Sequence, residues 1–279
     1  MQYSNPELPE GINTSKDHPL KEFFILTMGI LSIFILVLLI LSYLANHFAS
    51  AIPFKAEVAF TNEIKDHFFT QKIKKNSDQK TQQYLQDLAN KLSKAEALPK
   101  SMKIIVHYQA DETINAFATL GGHIFMFKGL LQKLPNENAV AMVLAHEIAH
   151  IKNRHPIKGM GRGIVIGLAL TMINGSIGNS LAEQAFSGAG GLTGLTFSRD
   201  QEMASDNEAL QALLKYYGHV NGARALFDVL EKENQGIQIP AFLSTHPLSI
   251  QRIEYINQFQ QQHQEKQQDL TPLPAYFLK

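Results

Sequence analysis

From Phe23 to Ala45 the chain reads FFILTMGILSIFILVLLILSYLA, 23 residues without a charge. As a helix rising ~1.5 Å per residue this run would be about 34 Å long, enough to cross a hydrocarbon core of ~30 Å. A cleaved signal peptide is the competing reading, and Ala49-Ser50-Ala51 resembles a cleavage site. Signal peptides carry apolar cores of only ~7–15 residues behind a basic start. This run is longer, and the residues before it include Glu7, Glu10, Asp17 and Glu22. The sequence therefore predicts a retained single-pass anchor in a lipid bilayer. Lys16 and Lys21 before the span are matched by Lys55 and Lys65 after it, so the lysines leave the side of the following domain open.

Charge and cysteine content narrow the chemistry. Lys and Arg number 25, as do Asp and Glu, and zero net charge argues against a nucleic-acid partner. There is no cysteine, which excludes disulfides, thiolate metal ligands, iron–sulfur clusters and a cysteine nucleophile. A single anchor with a cysteine-free body fits a bacterial inner-membrane protein whose domain faces the periplasm.

The chain divides into a disordered tail (1–22), the span (23–45), a juxtamembrane linker (46–76), a main domain (77–262) and a C-terminal tail (263–279). Ser77 or Asp78 can cap a helix reaching about Leu98, with Tyr84, Leu85, Leu88 and Leu92 at helical spacing. Lys103–Tyr108 reads as a strand. Ala116–Leu120 and His123–Phe127 flank Gly121-Gly122, a hairpin signal. Four helical stretches follow, which makes the domain mostly helical with a small sheet.

The most informative residues are His146-Glu147-Ile148-Ala149-His150. Asn136 can cap this helix. Positions i and i+4 share a helix face, so His146 and His150 can present two imidazoles to one ion. Glu147 is turned by ~100°, off the metal but beside the open coordination position, as in the H-E-x-x-H pattern of zinc hydrolases. Three fixed positions in five are easily met by chance in a chain with 11 histidines. A catalytic zinc needs a third protein ligand. Ser198 and Gln201 form a capping-box pattern that starts a helix, placing Glu202 and Asp206 on one face. Glu202 then suits the metal, and Asp206 suits a hydrogen bond to a ligand imidazole. Ala204 and Ala209 favour close packing of that helix over a solvated acidic face.

Four blocks in order, Asn115-Ala116-Phe117-Ala118 with Gly121-Gly122, His146–His150, Ser198–Asp206 and Ser244-Thr245-His246-Pro247 with Arg252, carry a family resemblance. The chain resembles the membrane zinc endopeptidases of the HtpX, CAAX prenyl protease and Oma-like type, peptidase family M48. That resemblance implies an α+β, mostly helical zincin-like domain of the gluzincin class. It implies one Zn2+ held by His146, His150 and Glu202, with Glu147 as base, and polypeptide substrates.

Further expectations concern the groove around the site. His246 is a candidate donor to the tetrahedral oxyanion, or a residue that approaches the metal in a resting state, or a packing histidine. Arg252 is expected to pair with Asp206 or Glu202. His123–Phe127 is expected as an edge strand that adds an extended peptide, with Ile124, Phe125 and Phe127 as pocket walls, unless the hairpin is wholly internal. Gly163–Ala182 is uncharged, but His146 and Glu202 must reach the same ion, so this segment cannot cross the bilayer once between them; it must pack, lie on the surface, or dip and return. Ser187–Gly194 is glycine-rich and reads as a flap over the site. The expected function is quality control of misfolded or damaged envelope proteins, with a non-proteolytic chaperone or adaptor, or a specific maturation protease, as the alternatives.

Overall fold

The structure, a computed structural model, describes residues 19–49, 51–68, 78–174, 195–234, 240–263 and 269–277. In chain order the elements are α1 (Pro19–Ala49), α2 (Phe54–Phe68), α3 (Gln79–Ala95), β1 (Ile105–Gln109), β2 (Ala116–Ala118), β3 (His123–Phe127), α4 (Lys128–Leu131), α5 (Glu137–Lys152), α6 (His155–Asn174), α7 (Arg199–Tyr217), α8 (Arg224–Asn234), α9 (Ala241–Thr245) and α10 (Ile250–Gln262). The fold is mostly helical with one small sheet, as the sequence predicts. The expected glycine-rich flap at 187–194 lies outside the described residues, as does the tail through residue 18.

Helix α5 is the axis of the domain. Asn136 caps it by accepting from the Ala139 backbone N–H at 2.9 Å. Every residue from Asn138 to Ile151 is buried. A helix buried all round is one enclosed by other elements rather than lying on a surface. Helix α3 supplies Leu85, Leu88 and Leu92 to the core around it, and α7 supplies Ala209, Leu210 and Leu213. On α7 the buried face is Glu202, Ser205, Asp206 and Ala209, whereas Ala204, expected at the contact, is exposed. The small side chains of Ser205 and Ala209 let α7 lie close to α5.

The sheet has the order β1-β3-β2, with β1 parallel and β2 antiparallel to β3. Val106, Tyr108, Ile124 and Met126 face the helical core. The outer edge of β1 is closed by two glutamines of α3: Tyr108 N–H donates to Gln82 Oε1 at 2.8 Å and Val106 N–H to Gln86 Oε1 at 2.9 Å. Strands β2 and β3 are joined through a short turn at Leu120–Gly122. A side chain at Gly122 would place its Cβ 2.0 Å from the Lys103 carbonyl oxygen, and its φ of +87° is a glycine conformation.

The stretch expected as a linker contains α2, which packs on this turn. Glu57 accepts from Gly121 N–H at 3.2 Å and from Arg154 Nε at 2.9 Å. Arg154 occupies the reversal between α5 and α6 with φ +59°. A left-handed backbone at a non-glycine residue costs free energy, and the Glu57 ion pair offsets it. Helix α1 is, among the described residues, the one helix long and apolar enough to cross a membrane. Its last turns pack on α6, where Gly161 brings the backbones together: a Cβ there would meet Ala45 Cβ at 3.4 Å.

Residues 269–277 return to the start of α5. Thr271 accepts from Glu137 N–H at 2.9 Å and donates to Asn138 Oδ1 at 2.8 Å, and Phe277 packs edge-on to Tyr84 at 5.3 Å. Removing residues 269–279 exposes the Tyr84 contact and costs the two hydrogen bonds, about 2–3 kcal/mol together. A drop in Tm of roughly 4–10 °C is expected in a circular-dichroism melt of the solubilised chain. An unchanged Tm would show that the segment contributes nothing to the core.

Candidate metal centre

Two helices and one loop bring six titratable side chains to one buried point. His146, Glu147 and His150 come from α5, Glu202 and Asp206 from the first turns of α7, and His246 from the residue after α9. None is more than 1% exposed. The α7 residues arrive in register because the helix starts where the capping box sets it, with Ser198 and Gln201 bonding each other's backbone.

The facing atoms have a regular spacing. His146 Nε2 lies 3.0 Å from His150 Nε2, 3.3 Å from His246 Nδ1 and 3.5 Å from Glu202 Oε2. Glu202 Oε1 lies 3.4 Å from His150 Nε2 and 3.1 Å from His246 Nδ1. Ligand atoms about 2.1 Å from a common tetrahedral zinc stand about 3.4 Å apart. The four donors His146, His150, Glu202 and His246 therefore fit one tetrahedral ion, and all their ligand atoms lie within 4.8 Å of one another. Three imidazoles with one carboxylate and no sulfur suit a divalent transition metal, zinc among them.

Electrostatics point the same way. Burial works against a charge on His146, but the carboxylates of Asp206 and Glu202 beside its two ring nitrogens reverse this and raise its pKa to about 10. The site is set to hold positive charge. Burial pushes the His150 imidazole well down, into the neutral form that ligates metals. Burial would raise Glu202, yet His246, His146 and His150 bring it well below the usual carboxylate range. Glu147 is different: burial raises it, with His246 and His146 pulling against the shift, and neither of its carboxylate oxygens makes a side-chain hydrogen bond.

Arg252, on α10, supplies the fixed countercharge. Its Nε and Nη2 donate to Asp206 at 2.6 and 2.9 Å, and its Nη1 lies 2.6 Å from Glu202 Oε2. The expected pairing with Asp206 or Glu202 is thus made with both. Asp206 Oδ1 in turn stands 2.9 Å from His146 Nδ1, the far side of that ring from the cluster.

The family description Peptidase family M48 matches residues 79–260, from α3 into α10. The chain belongs to this family. Among curated M48 relatives, it is 32% identical over 168 residues to the mitochondrial metalloendopeptidase OMA1 of Schizosaccharomyces pombe, covering 60% of this chain and 50% of that one. It is 28% identical over 185 residues to the beta-barrel assembly-enhancing protease of Yersinia pestis, 61% of this chain and 37% of the relative. With metalloprotease LoiP of Escherichia coli it shares 28% over 146 residues, 51% and 57% of the two chains. The chain spans between 37% and 57% of these relatives' length.

Against this M48 framework one expectation changes. Strand β3 is hydrogen-bonded on both sides, so it has no edge for a peptide. Ile124 is fully buried in the main core, while Phe125 and Phe127 lie on the opposite sheet face with Phe117. Alternation in sequence gave each residue its face; strand order depends on the parallel pairing with β1, which no local pattern encodes. Of the places open to His246, the structure puts it among the candidate donor atoms, its Nε2 3.4 Å from Glu147 Oε1.

One residue escaped the sequence reading. His155, the first residue of α6, places Nδ1 2.9 Å from His150 Nδ1, behind the proposed ligand. Its signal was a third histidine five positions past the motif. Partners behind ligand imidazoles orient them, and their loss typically costs 10–100-fold in metal affinity. His155→Ala should weaken zinc affinity by about that factor in a chelator competition titration. Unchanged affinity would make His155 a packing residue. Arg252→Ala leaves two buried carboxylates uncompensated and should destabilise the domain by roughly 3–5 kcal/mol in denaturant titration.

Proposed function

We propose that this M48 chain is a membrane-anchored zinc endopeptidase that hydrolyses internal peptide bonds of misfolded or damaged envelope polypeptides. The convergence of four donors at 3.0–3.5 Å with the buried Glu147 beside them carries this reading. The names of the relatives support it: two are metallopeptidases and one is a protease that enhances beta-barrel assembly.

Zinc held by His146, His150 and Glu202 would supply Lewis-acid polarisation of the scissile carbonyl and a water of lowered pKa. The chain supplies the rest. Glu147, raised by burial and free of side-chain hydrogen bonds, takes the proton of the attacking water and returns it to the leaving amine. Asp206 holds the His146 ring through Nδ1, and Arg252 holds Asp206.

His246 is a fourth donor, and a hydrolytic site needs an open position. We read it as a resting-state ligand that substrate displaces, in preference to an oxyanion donor. The outer edge of β2 is the strand for substrate. Phe127 N–H donates to Asn115 and Thr119 N–H to His123, so the alternation of an antiparallel ladder turns the main-chain groups of Ala116 and Ala118 away from β3. Both residues are buried, and Phe242 of α9 donates its N–H to Ile114 at 3.2 Å. Displacing the α9–His246 segment would free the fourth position and uncover this edge together. Main-chain recognition tolerates varied sequence, which suits quality control.

The deciding measurement compares wild type with Glu147→Gln for bound zinc and for cleavage of an unfolded protein. Equal zinc and a loss of cleavage of about 10²–10⁴-fold are expected. Equal cleavage by both would sink the mechanism, and tight substrate binding without cleavage by wild type would favour the adaptor reading. Glu202→Ala should lose zinc; full metal content would refute its place among the ligands.

A further inference from the structure

Helix α6 runs alongside α1 in the opposite direction. Ala49 shares a small buried cluster with Ile157, and four residues further on in each helix Ala45 meets Gly161. The contact between the two helices is among the most extensive in the molecule. Continued at that register, each step along α6 moves one residue back along α1, which would bring Ala169 level with Val37 and Asn174 level with Ser32. The uncharged run of α1 begins at this contact, since Ala45 is its last residue. From Gly163 to Asn174, α6 carries no charge either: GIVIGLALTMIN.

The charges of α6 lie at the other end. Lys158 and Arg162 follow at an interval of four on one face of α6, level with the last turns of α1, and Arg154 stands in the reversal just before the helix. Burial lowers the Lys158 pKa, and Arg154 and Arg162 lower it further, so the three cations feel one another. Arg154 is paired with Glu57, but no carboxylate pairs with Lys158 among the described residues. Cations at the end of an apolar span sit at the headgroup level of a bilayer.

We propose that α6 lies in the bilayer beside α1, and that the pair holds the metal centre at the membrane surface, where it meets juxtamembrane segments of membrane polypeptides. The proposal rests on the reading of α1 as an anchor and adds to it. By its length beyond Gly161, α6 enters to a depth of ~20 Å in a core of ~30 Å, short of a full crossing. A partial entry satisfies the requirement that His150, before α6, and Glu202, after it, stand 3.4 Å apart on one side. His155, six residues before Gly161, touches His150. The centre therefore lies ~10 Å above the point where Ala45 leaves the apolar run. The bonds presented to it are those close to the lipid.

The chain has no tryptophan, so one introduced tryptophan reports its own surroundings. Val37→Trp on α1, Ala169→Trp at the same level on α6 and Asn90→Trp on exposed α3 are placed singly in the full chain. Each is reconstituted in phosphatidylcholine vesicles with and without bromine on the acyl chains; Leu168→Trp and Leu170→Trp repeat the α6 measurement on other faces. Bromine should cause comparable loss of emission at positions 37 and 169 and none at 90. Loss at 37 with none at 168–170 overturns the proposal and leaves the anchor standing. Loss at none of them overturns both. An unfolded peptide tethered to the same vesicles should be cut first within roughly three to six extended residues of the lipid, ~10–20 Å, as mapped by mass spectrometry. Cuts that begin far from the tether, or only in untethered peptide, overturn the surface placement. No cleavage of either form counts against the peptidase reading itself.

Discussion

Six titratable groups with almost no access to water share one point, and three are carboxylates. Uncompensated, such a cluster would be ruinous to stability, because charge buried without a partner costs several kcal/mol per group. Arg252 answers part of it by gripping Asp206 and Glu202 together. The remaining negative potential draws positive charge to His146. Much of the architecture follows from delivering these groups: α7 must approach α5 through small residues, and α10, capped by Ser249, must bring Arg252 over them.

The same centre is tied to α1 by a chain of contacts. Glu57 on α2 holds both the β2–β3 turn, through Gly121, and the α5–α6 reversal, through Arg154. His155 begins the helix that lies along α1 and touches His150. A change in how α1 and α6 sit is thus mechanically close to a proposed metal ligand. Coupling of this kind needs no long pathway; one short helix start spans it.

Several parts of the fold were legible before any coordinates. Asn136, Asp78 and the Ser198–Gln201 box cap their helices as read, because a cap is an interaction of residues three apart. The pairing of Arg252 was foreseen in kind, though not that it would hold two carboxylates at once. The reading of β3 as an edge strand failed because a parallel strand, β1, takes its second side. The glutamines that close β1 belong to α3, some twenty residues earlier in the chain. Helix α2 was passed over for a related reason: its buried Glu57 and Thr61 have meaning only beside Gly121 and Arg154.

By itself the sequence determined what is local or periodic: an apolar run long enough to span a bilayer, the helix starts, the i and i+4 pairs His146/His150 and Glu202/Asp206, and the family to which the chain belongs. These rest on helical geometry, which repeats wherever a helix forms. Tertiary structure decided the strand order, the place of His246 among the candidate donor atoms, the contact of His155 behind His150 and the antiparallel pairing of α1 with α6. Each joins residues of different elements, and such contacts depend on which apolar faces find each other in the packed domain. Close packing selects one such arrangement among many that the same local pattern allows.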